Sequence, residues 1–375
     1  MKVLFVATVV KKHIMHFHIP FLELFKQMGW QTAVAAKNDY DSEERCEIPY
    51  CDAFFDLPFQ RDPLHAGNLK AYRMLRRIIR EGDFDLIHCH TPVGGMVARL
   101  AARDARRKGC RVFYTAHGFH FYRGAPLKNW LLYYPAEALL SRLTDVLITI
   151  NREDFTRAKK LHAKHVEYIP GVGVDLCRFR PDPTVREAKR RELGLRSSDC
   201  VLLSVGELIA RKNHALVLKA MAKLRDRGEL ENVRYLLCGD GALRQELEET
   251  ARSLGLDGHV HFLGYRRDIP SICNCSDVFV FPSLQEGLPV ALLEAMACGL
   301  PAICSRIRGS TDLIADGRSG IAADSTPDAF AEAVMRYRSD PALCVRFAAE
   351  AQKTAAAYDL EIVKREMRRC YEAYL

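Results

Sequence analysis

Short apolar runs alternate with longer amphipathic stretches along the whole chain. The runs at residues 3–7, 32–36, 86–90, 112–116, 146–150 and 167–169 read as buried strands. A second series falls at 200–205, 235–238, 260–263, 278–281 and 302–305. Stretches between them, such as 19–28 and 215–225, space apolar residues at helical intervals. Apolar strands interleaved with helices predict parallel sheets covered on both faces. Gly171, Gly173, Pro181 and Pro183 cluster between the two series and mark a linker. The pattern therefore predicts two Rossmann-like α/β domains, residues 1–175 and 176–359. In such sheets ligands bind outside the carboxyl ends of the strands. The last stretch, 360–375, carries Ile362, Val363, Met367, Tyr371 and Leu375 on approximately one helical face. That face needs a surface to cover, and the first domain is expected to supply it.

Length agrees with two domains, because a single core stops growing at about 250–300 residues and the chain has 375. With 49% apolar and 27% charged residues, long disorder is excluded. No apolar run approaches the ~18 residues of a membrane-spanning helix. In residues 1–12 the apolar stretch precedes Lys11 and Lys12, the reverse of a signal peptide. A first buried strand and a cytoplasmic location are expected. The cysteines, 13 in number, mostly sit singly in apolar runs and read as reduced, buried thiols. Cys273 and Cys275 lack a second pair at zinc-ligand spacing, so no metal is expected there. The net charge of +8 is uneven: residues 1–180 hold 28 basic and 19 acidic side chains, the remainder 27 and 28. A basic first half points to an anionic partner. No nucleic-acid-binding module accompanies it, so nucleic acid is not expected.

Several nucleotide motifs are missing. Gly-Lys never occurs, which excludes a Walker A loop. The turn after the first strand has no glycine, so the dinucleotide fingerprint is absent. Gly239-Asp240-Gly241 follows a strand but lacks the third glycine and reads as a tight turn. Two Asp-x-Asp triplets, ending at Asp41 and Asp85, have the composition of a metal clamp on a diphosphate. Asp83 and Asp85 precede a strand, away from the expected ligand crevice, and read as solvated charges.

Residues 281–301 are the most informative segment. A strand ends at Phe281, a glycine loop follows, and Pro289 suits the first turn of a helix that stops at Gly299. Free amides near Gly287 and Leu288 can point at a diphosphate, and glycine lets the backbone approach it. Glu286 lies in the loop and Glu294 about one and a half turns into the helix. One carboxylate can face a sugar ring while the other accepts hydrogen bonds from ribose hydroxyls.

Glu286 and Glu294 match the E-x7-E motif, and here the sequence resembles the retaining glycosyltransferases of family 4 over nearly its whole length. The resemblance implies a GT-B fold, two Rossmann-like domains facing across a cleft with the C-terminal helix returning to the first. In Gly206-Glu207-Leu208-Ile209-Ala210-Arg211-Lys212-Asn213-His214, it implies that Arg211 and Lys212 bind the donor diphosphate. Two cations there neutralise a leaving group without a metal. Thr115-Ala116-His117-Gly118-Phe119-His120-Phe121 is similar to the active-site loop whose histidine, here His117, contacts the donor sugar. Residues 85–95, with His90, resemble the strand leading to the acceptor-side loop. Residues 261–270 resemble the base-binding turn, where backbone around Arg266 reads the nucleobase and the arginine side chains are solvated. Where many members of the family carry a glycine pair, this chain has Val9-Val10-Lys11-Lys12-His13-Ile14-Met15-His16-Phe17-His18. His16 is an acceptor-side candidate there, as is His90, and His18 is a further contributor.

The expected reaction moves a sugar, with retention, from a uridine-diphosphate donor to an acceptor hydroxyl. His117 and Glu286 act on the sugar, Arg211, Lys212, Gly287 and Leu288 on the diphosphate, and Glu294 on the ribose. No cofactor and no metal is expected. The resemblance further implies a polyprenyl-diphosphate-linked acceptor in capsule or exopolysaccharide assembly, at the inner face of the cytoplasmic membrane. Basic amphipathic stretches at 69–80 and 127–142 suit anionic lipid, or equally pack inward with solvated charges. A nucleotide-sugar epimerase and a non-catalytic nucleotide-sugar-binding protein share the expected architecture and stay open.

Overall fold

The computed structural model describes residues 1–41 and 45–375. Thirteen strands form two wholly parallel sheets among the described residues. The first contains β1 (Lys2–Val9), β2 (Gln31–Lys37), β3 (Ala53–Asp56), β4 (Leu86–His90), β5 (Arg111–Ala116), β6 (Val146–Thr149) and β7 (His165–Tyr168). The second contains β8 (Cys200–Val205), β9 (Val233–Cys238), β10 (Val260–Gly264), β11 (Val278–Phe281), β12 (Ala302–Ser305) and β13 (Ile321–Ala323). Their orders are β3-β2-β1-β4-β5-β6-β7 and β10-β9-β8-β11-β12-β13. Each order reverses at one point, between β1 and β4 in the first sheet and between β8 and β11 in the second. Helices leave opposite faces on the two sides of that point, which opens a crevice at the strand ends.

The chain divides into two compact units, Met1–Val172 with Val363–Leu375, and Gly173–Ile362. The sequence placed these boundaries at 175 and 359. In the first unit one face of the sheet is covered by Ala71, Leu75, Val97 and Ala98, among others. The other face is covered by Phe21, Leu22 and Phe25 together with Val363, Met367 and Tyr371 of the helix Leu360–Tyr374. Positions 363, 367, 370 and 371 make one stripe of that helix, whereas Leu375 is 36% exposed. Each such fully buried side chain contributes about 1.5–3 kcal/mol relative to exposure. Tyr371 is wholly buried and its hydroxyl lies 2.7 Å from His88 Nδ1, whose ring partner on the other side is Thr115 Oγ1 at 2.8 Å. The second unit has its own core, from Leu202 and Val280 on the strands to Phe330 and Tyr337 on the helix Pro327–Ser339.

Two strands, β3 and β13, fall outside the sequence expectation. They are short segments at the sheet edges, too brief for an apolar run to announce them. Between β1 and the expected helix, which spans Ile19–Gln27, the chain winds into a π-turn over Val10–Ile14 and a helical turn over Met15–Phe17 instead of a loop. No described helix is long and apolar enough to cross a membrane.

Candidate active site

At the switch point of the second sheet, two loops meet. The chain leaving β8 turns through Ala210–Lys212, and Asn213 closes the turn at φ 55°. Asparagine tolerates this left-handed conformation better than most residues. Its Nδ2 donates to Pro282 O at 3.3 Å, just past β11. Leu284 N donates to Arg211 O at 2.9 Å, and Arg211 Nη1 to Gln285 O at 2.8 Å. These bonds place Arg211 and Lys212 beside Glu286. Glu286 Oε1 accepts from Arg211 Nη1 at 2.9 Å and from Lys212 Nζ at 2.8 Å. The Lys212 ammonium also lies 4.8 Å from the centre of the Phe281 ring. Two cations against one carboxylate leave the group with a net positive charge, suited to an anion.

Gly287 and Leu288 precede the helix rather than start it. The helix spans Val290–Ala297 and Pro289 is its N-cap, one position earlier than the sequence suggested. The loop is fixed from below: Arg308 Nε donates to Glu286 O at 3.2 Å. Gly309 has φ 77°, and a Cβ there would lie 2.3 Å from Gly287 O. Glu294 sits within the helix, and burial raises its carboxyl to about 7, opposed by the Arg178 charge. Arg266 departs from expectation. Its guanidinium is not solvated but bonded to Asp268 at 2.8 and 2.6 Å and to Glu192 at 3.2 Å. Its side chain is thereby committed, and only its backbone is left to meet a ligand. Gly239 and Gly241 press on the backbone of Gly206 and Leu208, where a Cβ would meet carbonyl oxygens at 1.9 and 2.5 Å. They serve close packing of two loops.

At the switch point of the first sheet, His90 ends β4 and His117 follows β5. His90 is 1% exposed, and its Nδ1 lies 3.4 Å from His117 Nε2. The next residue, Thr91, has φ 62°, a strained backbone for a β-branched side chain. Its hydroxyl meets Thr8 Oγ1 at 2.7 Å, which ties the ends of β4 and β1. Strain held by such contacts is common at functional sites. The loop bearing His117 is anchored by Asp154, which accepts from Phe119 N at 2.9 Å and Asn151 Nδ2 at 2.8 Å. Burial lowers the imidazolium of His117 to about 4. His13, His18 and His90 are lowered too, first by burial and then by neighbouring imidazoles. His16 is placed apart: it is exposed and its Nδ1 lies 2.8 Å from Lys11 O.

Asp85 and Asp39 are occupied by backbone. Asp85 Oδ2 accepts from Lys2 N at 2.7 Å and Asp39 Oδ1 from Lys11 N at 2.6 Å. Cys273 and Cys275 are buried in the second unit.

Comparison with known proteins decides the family. The profile of the group 1 glycosyl transferases matches residues 185–354, and that of the glycosyl transferase 4-like domain matches residues 21–171. EpsD of Bacillus subtilis, named as a glycosyltransferase, is 42% identical over 100% of this chain and 97% of its own length. The chain belongs to this glycosyltransferase family. The transferase is also 32% identical to the Escherichia coli UDP-Gal:alpha-D-GlcNAc-diphosphoundecaprenol alpha-1,3-galactosyltransferase, over 78% of this chain and 76% of that one. Its fold is GT-B. The structure of Anabaena HepE with UDP and glucose superposes with a TM-score of 0.80 over the whole of both chains, at 21% identity.

Sequence reasoning missed Asp154, Arg308 and His13, which shape the transferase's two crevices, and named His18 without its partners. Asp154 and Arg308 act through backbone contacts that no motif announces. His13 and His18 converge with His90 and His117, so that one ring nitrogen from each lies within 4.8 Å of the others. Five residues apart, His13 and His18 would point about 140° from each other on an α-helix. The π-turn at Val10–Ile14 and the break at His18, φ −119°, bring their ring centres to 4.9 Å. The density of histidines in 13–18 was the available signal.

Proposed function

We propose that this glycosyltransferase moves a sugar from a uridine-diphosphate donor to a hydroxyl of a lipid-linked saccharide, with retention of anomeric configuration. The observation that carries the reading is the meeting of Arg211, Lys212 and Glu286 at the β8/β11 switch point. The second unit is the donor-binding unit. Arg211, Lys212 and the amides of Gly287 and Leu288 stabilise the departing diphosphate, and no divalent cation is needed on it. Glu294 accepts from the ribose, and backbone at Arg266 meets the base. Glu286 and His117 serve the sugar as its anomeric carbon gains positive character. The acceptor hydroxyl attacks from the face the diphosphate leaves, and a diphosphate oxygen takes its proton.

The first unit takes the acceptor, with His90 and His16 as the acceptor-side candidates. A lipid-linked diphosphate acceptor, as in the name of the Escherichia coli relative, supports the reading of a role in capsule or exopolysaccharide assembly at the inner face of the cytoplasmic membrane. The helix Leu127–Ser141 supports a membrane-facing position. Leu127, Leu131, Leu132 and Leu139 are 57–72% exposed on it, while Leu140 and Glu137 face inward. By contrast the basic helix Gly67–Gly82 packs Ala71, Leu75 and Ile79 inward, and Arg76 pairs with Asp104.

The test is turnover without added Mg²⁺ or Mn²⁺, using a panel of uridine and guanosine diphosphate sugars with a bacterial lipid extract. Mass spectrometry should show a lipid-linked product one sugar heavier, absent with Glu286→Ala. Isomerised donor without acceptor use would instead identify an epimerase. Donor binding without turnover across the acceptor panel would identify a binding protein.

A further inference from the structure

We propose that His13, His18, His90 and His117 bind one divalent transition-metal ion of the zinc and cobalt class. One ring nitrogen from each residue lies within 4.8 Å of all the others. Zinc bound to four imidazoles at about 2.0–2.1 Å separates its ligand atoms by about 3.4 Å. His90 Nδ1 and His117 Nε2 already stand 3.4 Å apart. The widest pair has to close by about 1.4 Å, which rotation of an imidazole about χ1 and χ2 supplies.

The second observation is independent of that spacing. His18 is 1% exposed, and both its ring nitrogens lack a hydrogen-bond partner among the described residues. His13 Nε2 is likewise buried and unpartnered. A neutral imidazole carries one donor and one acceptor, and leaving either buried without a partner costs about 1–3 kcal/mol. His88, on the same strand as His90, shows the contrast: both of its nitrogens are bonded, to Tyr371 and Thr115. Four imidazoles with a ring nitrogen each in one cluster make a set that suits zinc, cobalt, nickel or copper, not magnesium or calcium, which require oxygen ligands.

The ligands come from both sides of the β1/β4 switch point. The ion ties the helical segment after β1 to the ends of β4 and β5. Coordination through His117 Nε2 places the remaining proton on Nδ1, so that this histidine presents a fixed donor. The site is distinct from the diphosphate group in the other unit. The expectation that the chain needs no metal then narrows to the diphosphate alone.

The test is metal binding, independent of catalysis. The full chain, reduced and treated with chelator, is titrated with Co²⁺ at neutral pH and followed by visible absorption. One equivalent should bind with the intense d–d bands of a four-coordinate nitrogen site, and Zn²⁺ should displace it. Loss of an outer-shell partner costs about 10–100-fold in metal affinity, so His18→Phe and His13→Ala, at the less buried of the two positions, should each weaken binding by more than about 100-fold. Circular dichroism and UDP binding serve as fold controls, and His13→Ala carries the test if His18→Phe fails to fold. The proposal is overturned if the wild-type chain binds no cobalt, which would leave water in the pocket. It is equally overturned if folded variants bind as the wild type does, or if a sulfur-to-metal charge-transfer band places the ion on a cysteine.

Discussion

Glu286 holds two cations through a single oxygen, so removing either cation changes both the charge and the position of the rest. Arg211→Ala also removes the Nη1 bond to Gln285 O that steadies the loop. Loss of one preorganised donor to developing negative charge costs about 10²–10³ in kcat. Arg211→Ala and Lys212→Ala should each show a fall of that order in steady-state product formation, with UDP affinity reduced as well. An undiminished kcat in both would remove the diphosphate from this place. Glu294 makes a second, pH-dependent expectation. Burial raises its carboxyl to about 7, so the neutral acid persists to near neutrality and the carboxylate exists above it. Only the carboxylate accepts freely from two ribose hydroxyls. The KM for the nucleotide-sugar should therefore rise as pH falls through about 7. In Glu294→Gln it should be raised and flat across that range, since no proton is gained.

The elements that position these residues were legible where the apolar runs were long. β4, β8, β11 and β12 lie at the expected residues, because central parallel strands are buried on both faces and show as unbroken apolar runs. The edge strands β3 and β13 were not, since three or four residues with one neighbour leave little pattern. The Arg211-Lys212 turn and the Glu286 loop were legible as motifs, but their pairing depends on β8 and β11 being neighbours, which only the strand order reveals. The histidine cluster was hidden by helical phase: a reader assuming 3.6 residues per turn separates His13 from His18. Exposure of the helix Leu127–Ser141 was equally unreadable, because aromatic residues and leucines alternate along it. Trp130, Tyr133 and Tyr134 pack towards the core while four leucines face out. Leu131→Glu with Leu132→Glu should abolish co-sedimentation with anionic liposomes and leave the melting temperature within a degree or two, as exposed substitutions usually do. Unchanged sedimentation would remove this helix from the membrane reading.

Two cores of separate make-up give the molecule two responses, and calorimetry can tell them apart. The group expected to bind nucleotide lies in the second unit, so UDP at about 100 times its Kd should stabilise that unit by about 2.7 kcal/mol. His214 in the second unit is lowered to about 4, but most of the buried imidazoles, His18, His88 and His90, lie in the first. There His117 is lowered to about 4 and His88 to about 3, chiefly by burial, from an ordinary value of 6.5. Between those limits the unfolded chain binds more protons than the folded one, so folding stability must fall as pH falls. For the chelator-treated chain, the contribution of these two residues is complete above about pH 6.5 and is lost progressively towards pH 3 to 4. Acidification from pH 7.5 to 5 should therefore lower the transition that UDP does not raise, with the UDP-responsive transition moving less. His88→Asn would keep a side chain able to meet Tyr371 or Thr115 and remove one titrating group, so its acid sensitivity should be smaller than that of the unmodified chain. If both transitions fell in parallel and the substitution changed nothing, the imidazoles of the first unit would not be the source of the acid response.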